Sequence, residues 1–277
     1  MSTQYVLEIE RSARVITPSG HLLGGRHKVH DSRSKMYAVA PTANVASITH
    51  RRYVPVFDQG RLGACTGYAS VGALGTGTLW ESLSPTQQAW VNPTSAIATY
   101  SAATHLDNFP GTYLPTDTGS DGLSVAKALL ADKMINGYRH CFTLDALNSA
   151  LQVAPVITGV PWYEGMENPD ANGRVTVSGN ILGGHEFVIE GTDVDKQEFL
   201  CRNSWGTWGL QDENGIWGRF TISWDDFATL MGQGGDVTAL VAVTAPAPTP
   251  TPPPPPTPSA DDELAAAVKK WLSAKGL

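Results

Sequence analysis

The chain has 277 residues, 42% of them hydrophobic and 16% charged, with a formal net charge of -7 and a pI near 5.4. A chain of this length buries a sizeable core, as one large domain or as two lobes sharing an interface. No cluster of Lys and Arg exceeds the pairs Arg51-Arg52 and Lys269-Lys270. That excludes a nucleic-acid or anionic-lipid grip, which needs a concentrated basic face.

Met1 to Val15 mixes Glu8, Glu10, Arg11 and Arg14 with apolar residues and lacks the uninterrupted apolar core of a secretory signal. No window approaches the roughly 18 apolar residues of a membrane-spanning helix. Residues 1–52 carry few periodic apolar runs and read as an irregular extension wrapping the body. After the extended stretch Tyr53 to Phe57, Asp58-Gln59-Gly60-Arg61-Leu62-Gly63-Ala64 forms a glycine-punctuated loop. Cys65 to about Trp80 is small and apolar, a buried helix despite Gly67, Gly72, Gly75 and Gly77, each of which weakens helix propensity by about 1 kcal/mol relative to Ala.

Further helices are predicted from Asn92-Pro93, a cap followed by a first-turn proline, to His105, over Leu123 to Lys133, and over Leu144 to Leu151. After Pro155 the runs become alternating and β-branched: Val156 to Val160, Arg174 to Val177, Glu186 to Ile189, Glu198 to Cys201, Ile216 to Ile222 and Val237 to Val243. The globular part is thus an α+β arrangement over 53–244, with a helical lobe over about 59–152 and a β lobe over about 153–244. Residues 245–258, including Pro252 to Pro256, form an extended proline-rich spacer. Residues 259–277 read as an amphipathic helix, with Leu264, Ala267, Val268, Trp271 and Leu272 on one face. Such a short helix is marginal alone and docks either on its own domain or on a protein partner.

The cysteines are Cys65, Cys141 and Cys201, an odd number with no C-x-x-C pair. This argues against a disulfide framework and a structural zinc site, and neither a metal nor a cofactor is expected. A Cys141–Cys201 bridge and buried reduced thiols both remain open. Cys65 is either a buried structural thiol or a nucleophile, since a helix N-terminus after a loop lowers a thiol pKa. His185, in Leu182-Gly183-Gly184-His185-Glu186, sits where glycines bring backbone close to a cleft; the alternative is a core histidine. Asn203 is a neutral group able to orient the imidazole, as in the Cys–His–Asn form of the triad.

Gln59-Gly60-Arg61-Leu62-Gly63-Ala64-Cys65 resembles the Gln-Gly…Cys segment of papain-like (C1 family) cysteine peptidases. Gly184-His185 resembles that family's histidine segment. Asn203-Ser204-Trp205-Gly206-Thr207-Trp208-Gly209, with Asn214-Gly215-Ile216-Trp217, resembles its asparagine block. The three occur in the family's order, His185 lying 120 and Asn203 138 residues after Cys65, near the family's spacing of about 130–150. The likeness covers roughly residues 50–244.

It implies a two-lobe fold, a helical left lobe and a β-barrel-like right lobe with the active site in the cleft between them. It also implies hydrolysis of peptide or protein substrates through a thiol acyl-enzyme. Cys65 is then the nucleophile, His185 the base, Asn203 its orienter and Gln59 an oxyanion donor. Gly63, Gly122, Gly184 and Trp205 line the substrate cleft, and Trp205 shields the His185–Asn203 hydrogen bond. Gly119-Ser120-Asp121-Gly122 resembles the family's glycine-rich substrate rim, an ordinary loop being the alternative. Leu62 stands where many secreted relatives have a bonded cysteine, and Thr66 replaces the usual aromatic. With no long helical propeptide in 1–52, this fits a microbial or viral branch, cytoplasmic or associated with a virion or host cell. Self-inhibition by residues 1–52 is a further hypothesis, from their place just before the active-site loop. Two other readings are an inert papain-like scaffold serving as an interaction module, and a thiol amidase or acyl-transferase acting on cell-wall peptide.

Overall fold

The computed structural model describes residues 8–10, 15–18, 20–30 and 32–243. The chain divides into a body, Met1–Ala245, and a unit Pro246–Leu277. The spacer and amphipathic helix expected beyond residue 244 lie outside the described residues.

Helix α1 (Cys65–Leu74) begins after the glycine loop, and all ten of its residues are buried. Its glycines are explained by proximity: a Cβ on Gly67 would lie 2.8 Å from the Tyr100 Cβ of helix α4 (Pro93–Thr104), closer than real carbon atoms approach. The helix expected to continue to Trp80 instead breaks at Gly75-Thr76. It resumes as α2 (Gly77–Ser82), because Gly77 takes φ +51° with the His50 ring packed where a Cβ would stand. Helix α3 (Pro85–Trp90), not foreseen from the pattern, opens on a Ser84–Gln87 capping box. Asn92 caps α4, and Asp121, Thr143 and Ser223 cap α5 (Gly122–Ala131), α6 (Leu144–Leu151) and α7 (Trp224–Gly232), each accepting a backbone N–H of the first turn.

Seven strands make one antiparallel sheet: β1 (Ile48–Thr49), β2 (Gly137–His140), β3 (Val156–Tyr163), β4 (Ile181–Asp193), β5 (Glu198–Arg202), β6 (Arg219–Ser223) and β7 (Asp236–Val241). Their order is β6-β5-β4-β3-β7-β2, with β1 paired to the far end of β4. Among the described residues the path stays open, the barrel-like lobe being an unclosed antiparallel sheet. Arg174 to Val177, read as a strand, contributes only the isolated bridge Arg174–Thr221. Successive residues of a strand face opposite sides, and β4 uses this to serve two cores. Val188 packs with α1, α4 and α5 in the helical core, while Phe187 and Ile189 join Leu147, Trp162, Phe220 and Phe227 in the other.

Residues 1–52, read as irregular, contain short pairings: Val15–Ile16 with Leu22–Leu23, Glu8–Glu10 with Lys28–His30, and β1 with β4. A 3-10 turn spans Ser32–Tyr37. None of these pieces buries a face by itself, so their sequence carries little periodicity. All three cysteines are free and buried, which removes the Cys141–Cys201 bridge. No described helix is long and apolar enough to cross a membrane.

Candidate active site

Cys65 occupies the first position of α1 and is fully buried. His185 lies in β4 and Asn203 just past β5, two strands that are neighbours in the sheet. The His185 Nε2–Asn203 Oδ1 distance is 2.8 Å. The Ser204 N–H also donates to that Oδ1, at 2.7 Å, which fixes the amide oxygen as the acceptor. Nε2 must therefore carry the proton, and Nδ1, without a hydrogen bond among the described residues, keeps its lone pair. The N–H of Glu186, next to His185, donates to the Cys65 sulfur. Helix α1 and strand β4 pack against each other here.

The Trp205 ring lies tilted by 35° against the imidazole, ring centroids 4.6 Å apart, and is 1% exposed. It keeps water from the His185–Asn203 bond. Gln59 is tied to the asparagine turn, its N–H donating to the Ser204 carbonyl at 3.0 Å and its Oε1 accepting from Ser204 Oγ at 2.9 Å. These bonds leave Nε2 pointing to the cleft, where it donates to the Leu62 carbonyl at 3.2 Å and the Leu22 carbonyl at 3.3 Å.

Leu22 belongs to a strap, residues 20–28, that lies across these groups. Its Gly24 N–H donates to Gly184 O at 2.9 Å, the Ser120 N–H to Gly25 O at 2.9 Å, and the His27 N–H to Ser120 O at 2.8 Å. His21 stacks on Trp205 at 5.1 Å and lies 3.1 Å from Asp58. Gly25 runs against Gly63, whose N–H is held by Asp117 at 2.9 Å. The strap therefore touches Gly63, Gly184 and Trp205. Within the glycine-rich rim it is Ser120 that pairs with the strap backbone. Gly122 opens α5, with the carboxylates of Glu186 and Asp236 beside it.

Burial under the strap sets the electrostatics. It pushes the Cys65 thiol up to about 12, and the Glu186 carboxylate adds to this, against the opposing N–H groups of Glu186 and Thr66 and the charge of Arg26. The same desolvation, against the bond that His185 donates to Asn203 and helped by His21, brings His185 down to about 4. Both shifts favour the uncharged forms of the two groups.

Sequence reasoning missed the strap residues Leu22, Gly24, Gly25 and Arg26, and also Glu186 and Asp236. One signal was present: Glu186 is a charged residue directly before the apolar run Phe187-Val188-Ile189. No group of three or more His, Cys, Asp or Glu suited to a metal ion occurs among the described residues.

No family model matches the chain, and no curated relative matches it in sequence. Solved structures do match in shape. Xylellain, a cysteine protease from Xylella fastidiosa, superposes with a TM-score of 0.58 at 16% identity, covering 87% of this chain and 100% of its own. Digestive procathepsin L 3 of Tenebrio molitor larval midgut gives 0.52 at 14% identity, over 74% of this chain and 72% of its own. The chain has the papain-like fold.

Proposed function

We propose that the chain is a cysteine peptidase that cleaves peptide bonds through a thiol acyl-enzyme and is held latent by its own strap. The observation that carries this reading is the His185 tautomer. Asn203 Oδ1, already an acceptor for Ser204, requires the proton on Nε2 and leaves Nδ1 with a free lone pair, able to act as a base. When the strap leaves, water and substrate enter, the desolvation cost on both groups falls, and the thiol proton can pass to Nδ1. The sulfur then attacks the peptide carbonyl carbon. The oxyanion takes hydrogen bonds from Gln59 Nε2, the donor now turned to the Leu22 carbonyl, and from the Cys65 N–H at the helix N-terminus. His185 returns the proton to the leaving amine, and water, deprotonated at the same nitrogen, hydrolyses the thioester.

An epoxide thiol inhibitor and fluorogenic peptides, with a cell-wall peptide alongside, test the reading. Stoichiometric modification of Cys65 and peptide hydrolysis abolished by Cys65→Ala are expected. A folded chain with its strap displaced that neither labels nor hydrolyses would be an inert scaffold. Turnover of the cell-wall peptide alone would make it an amidase.

A further inference from the structure

Beside the thiol the sheet has a notch. In the register of three adjacent strands, Glu186 of β4 lies opposite Gly159 of β3, and Gly159 lies opposite Asp236 of β7. Two carboxylates thus flank a position with no side chain. A second glycine closes the notch: a Cβ on Gly122 would lie 2.7 Å from Glu186 Oε1 and 3.2 Å from Asp236 Oδ1. Glu186 is fully buried, and neither of its carboxylate oxygens has a hydrogen bond among the described residues. Two acids facing a dry gap repel and are desolvated, so the arrangement is stable only with a cation between them or with a shared proton.

The strap supplies the cation. Arg26 is 3% exposed, and its side chain lies over Gly159, where any Cβ would collide with it. Its guanidinium is paired with Asp236 and donates to the Gly234 carbonyl at 2.9 Å. Backbone bonds through Ser120 hold the strap on either side of this residue, and Arg26 is close enough to Cys65 for its charge to act on the thiol. Glycines at 122 and 159 make room for a long side chain, and the acids select its charge. Burial and the neighbouring Asp236 push the Glu186 carboxyl well above the ordinary carboxylate range, and the charge of Arg26 opposes them.

We propose that the notch between Glu186 and Asp236 is a specificity pocket for an arginine side chain of the substrate, now filled by Arg26 as a built-in stand-in. This rests on the peptidase reading and names its substrate class. Full-length chains carrying Arg26→Lys, Arg26→Met, Asp236→Asn and the Arg26→Met/Asp236→Asn pair are compared by the rate at which an epoxide inhibitor or iodoacetamide modifies Cys65 in the folded protein. Thermal unfolding verifies that each is folded. Arg26→Met should speed modification at least tenfold and Arg26→Lys less. In the Asp236→Asn background, exchanging Arg26 for Met should change the rate no more than about threefold. Fluorogenic peptides with Arg or norleucine at each of three positions before the scissile bond are assayed in parallel. Arg should be preferred at one position at least tenfold in kcat/KM, and Asp236→Asn should reduce that preference. Equal protection by Met and Arg at residue 26, or a norleucine preference at every position, overturns the proposal. Coupling between Arg26 and Asp236 without cleavage of any peptide sinks the peptidase reading while the guanidinium pocket stands.

Discussion

Replacing Gly25 by Ala tests whether the strap covers the nucleophile, independently of the acidic notch. A Cβ built on Gly25 falls 2.6 Å from the Gly63 carbonyl carbon and 2.7 Å from its Cα. Both are backbone atoms, so no side chain can rotate away, and Gly63 is itself held by Asp117 at 2.9 Å. The strap must shift, and with it go the bonds from Gly24 N–H to Gly184 O and from Ser120 N–H to Gly25 O, each 2.9 Å. At about 1 kcal/mol net per bond, plus residual overlap, the covered state loses about 2–3 kcal/mol relative to the open one. The open fraction should then rise about 30- to 150-fold, 1.36 kcal/mol being one factor of ten. Modification of Cys65 by an epoxide inhibitor, under conditions where opening and closing outpace the chemistry, reads that fraction directly. Because strap residue Leu23 is itself buried in the second core, thermal melting is followed in parallel to establish that the variant is folded. A folded Gly25→Ala protein whose Cys65 reacts no faster than wild type would refute the reasoning, since the thiol would then be sheltered by something other than the strap.

Once the cleft is open, Gln59→Ala should lower kcat by about 10²–10³ with KM little altered, as loss of a transition-state donor requires; steady-state kinetics on a fluorogenic peptide decide this. Behind the site, Arg202 bridges Glu190 at 2.8 Å and Asp212 at 2.7 Å, with Arg52 at 3.8 Å from Glu190, both arginines and Glu190 being buried. Arg202→Met should therefore destabilise the fold by about 3–5 kcal/mol, measured by urea unfolding, because it strands a buried carboxylate. The pH dependence has a defined sign. His185 falls from 6.5 to about 4 in the folded chain, so its contribution is present above pH 6.5 and is lost as pH drops through about 4. That contribution has a ceiling of about 3 kcal/mol. Melts of wild type and His185→Gln between pH 7 and 4 should diverge accordingly, with wild type losing more stability on acidification.

Much of the site was legible because it rests on local chemistry. A glycine loop running into small apolar residues marks a helix start at Cys65 whatever surrounds it. Asn92-Pro93 marks another helix start, and the ordered blocks at Gln59, His185 and Asn203 carry the resemblance to one constellation. Side-chain period and caps are properties of neighbouring residues, and so are readable in one dimension. The break at Gly75-Thr76 and the brief strands Gly137–His140 and Ile48–Thr49 were not readable. Each exists because a distant partner, His50 for Gly77 or β4 for Ile48, takes up what the local sequence leaves unsatisfied.

The state of the Cys65 thiol was decided by tertiary structure alone. From sequence, Cys65 at a helix N-terminus should have a lowered pKa; in the fold its thiol is pushed up to about 12, because burial removes water and the Glu186 carboxyl of β4 adds to this, against the charge of Arg26. The residues of the acidic notch, Glu186, Gly159 and Asp236, are 27 and 50 positions apart along the chain and meet only through strand register. Sequence by itself determined which atoms form the constellation. Which charge they carry, and what covers them, follows from desolvation and cross-strand pairing, which exist only once the chain has folded.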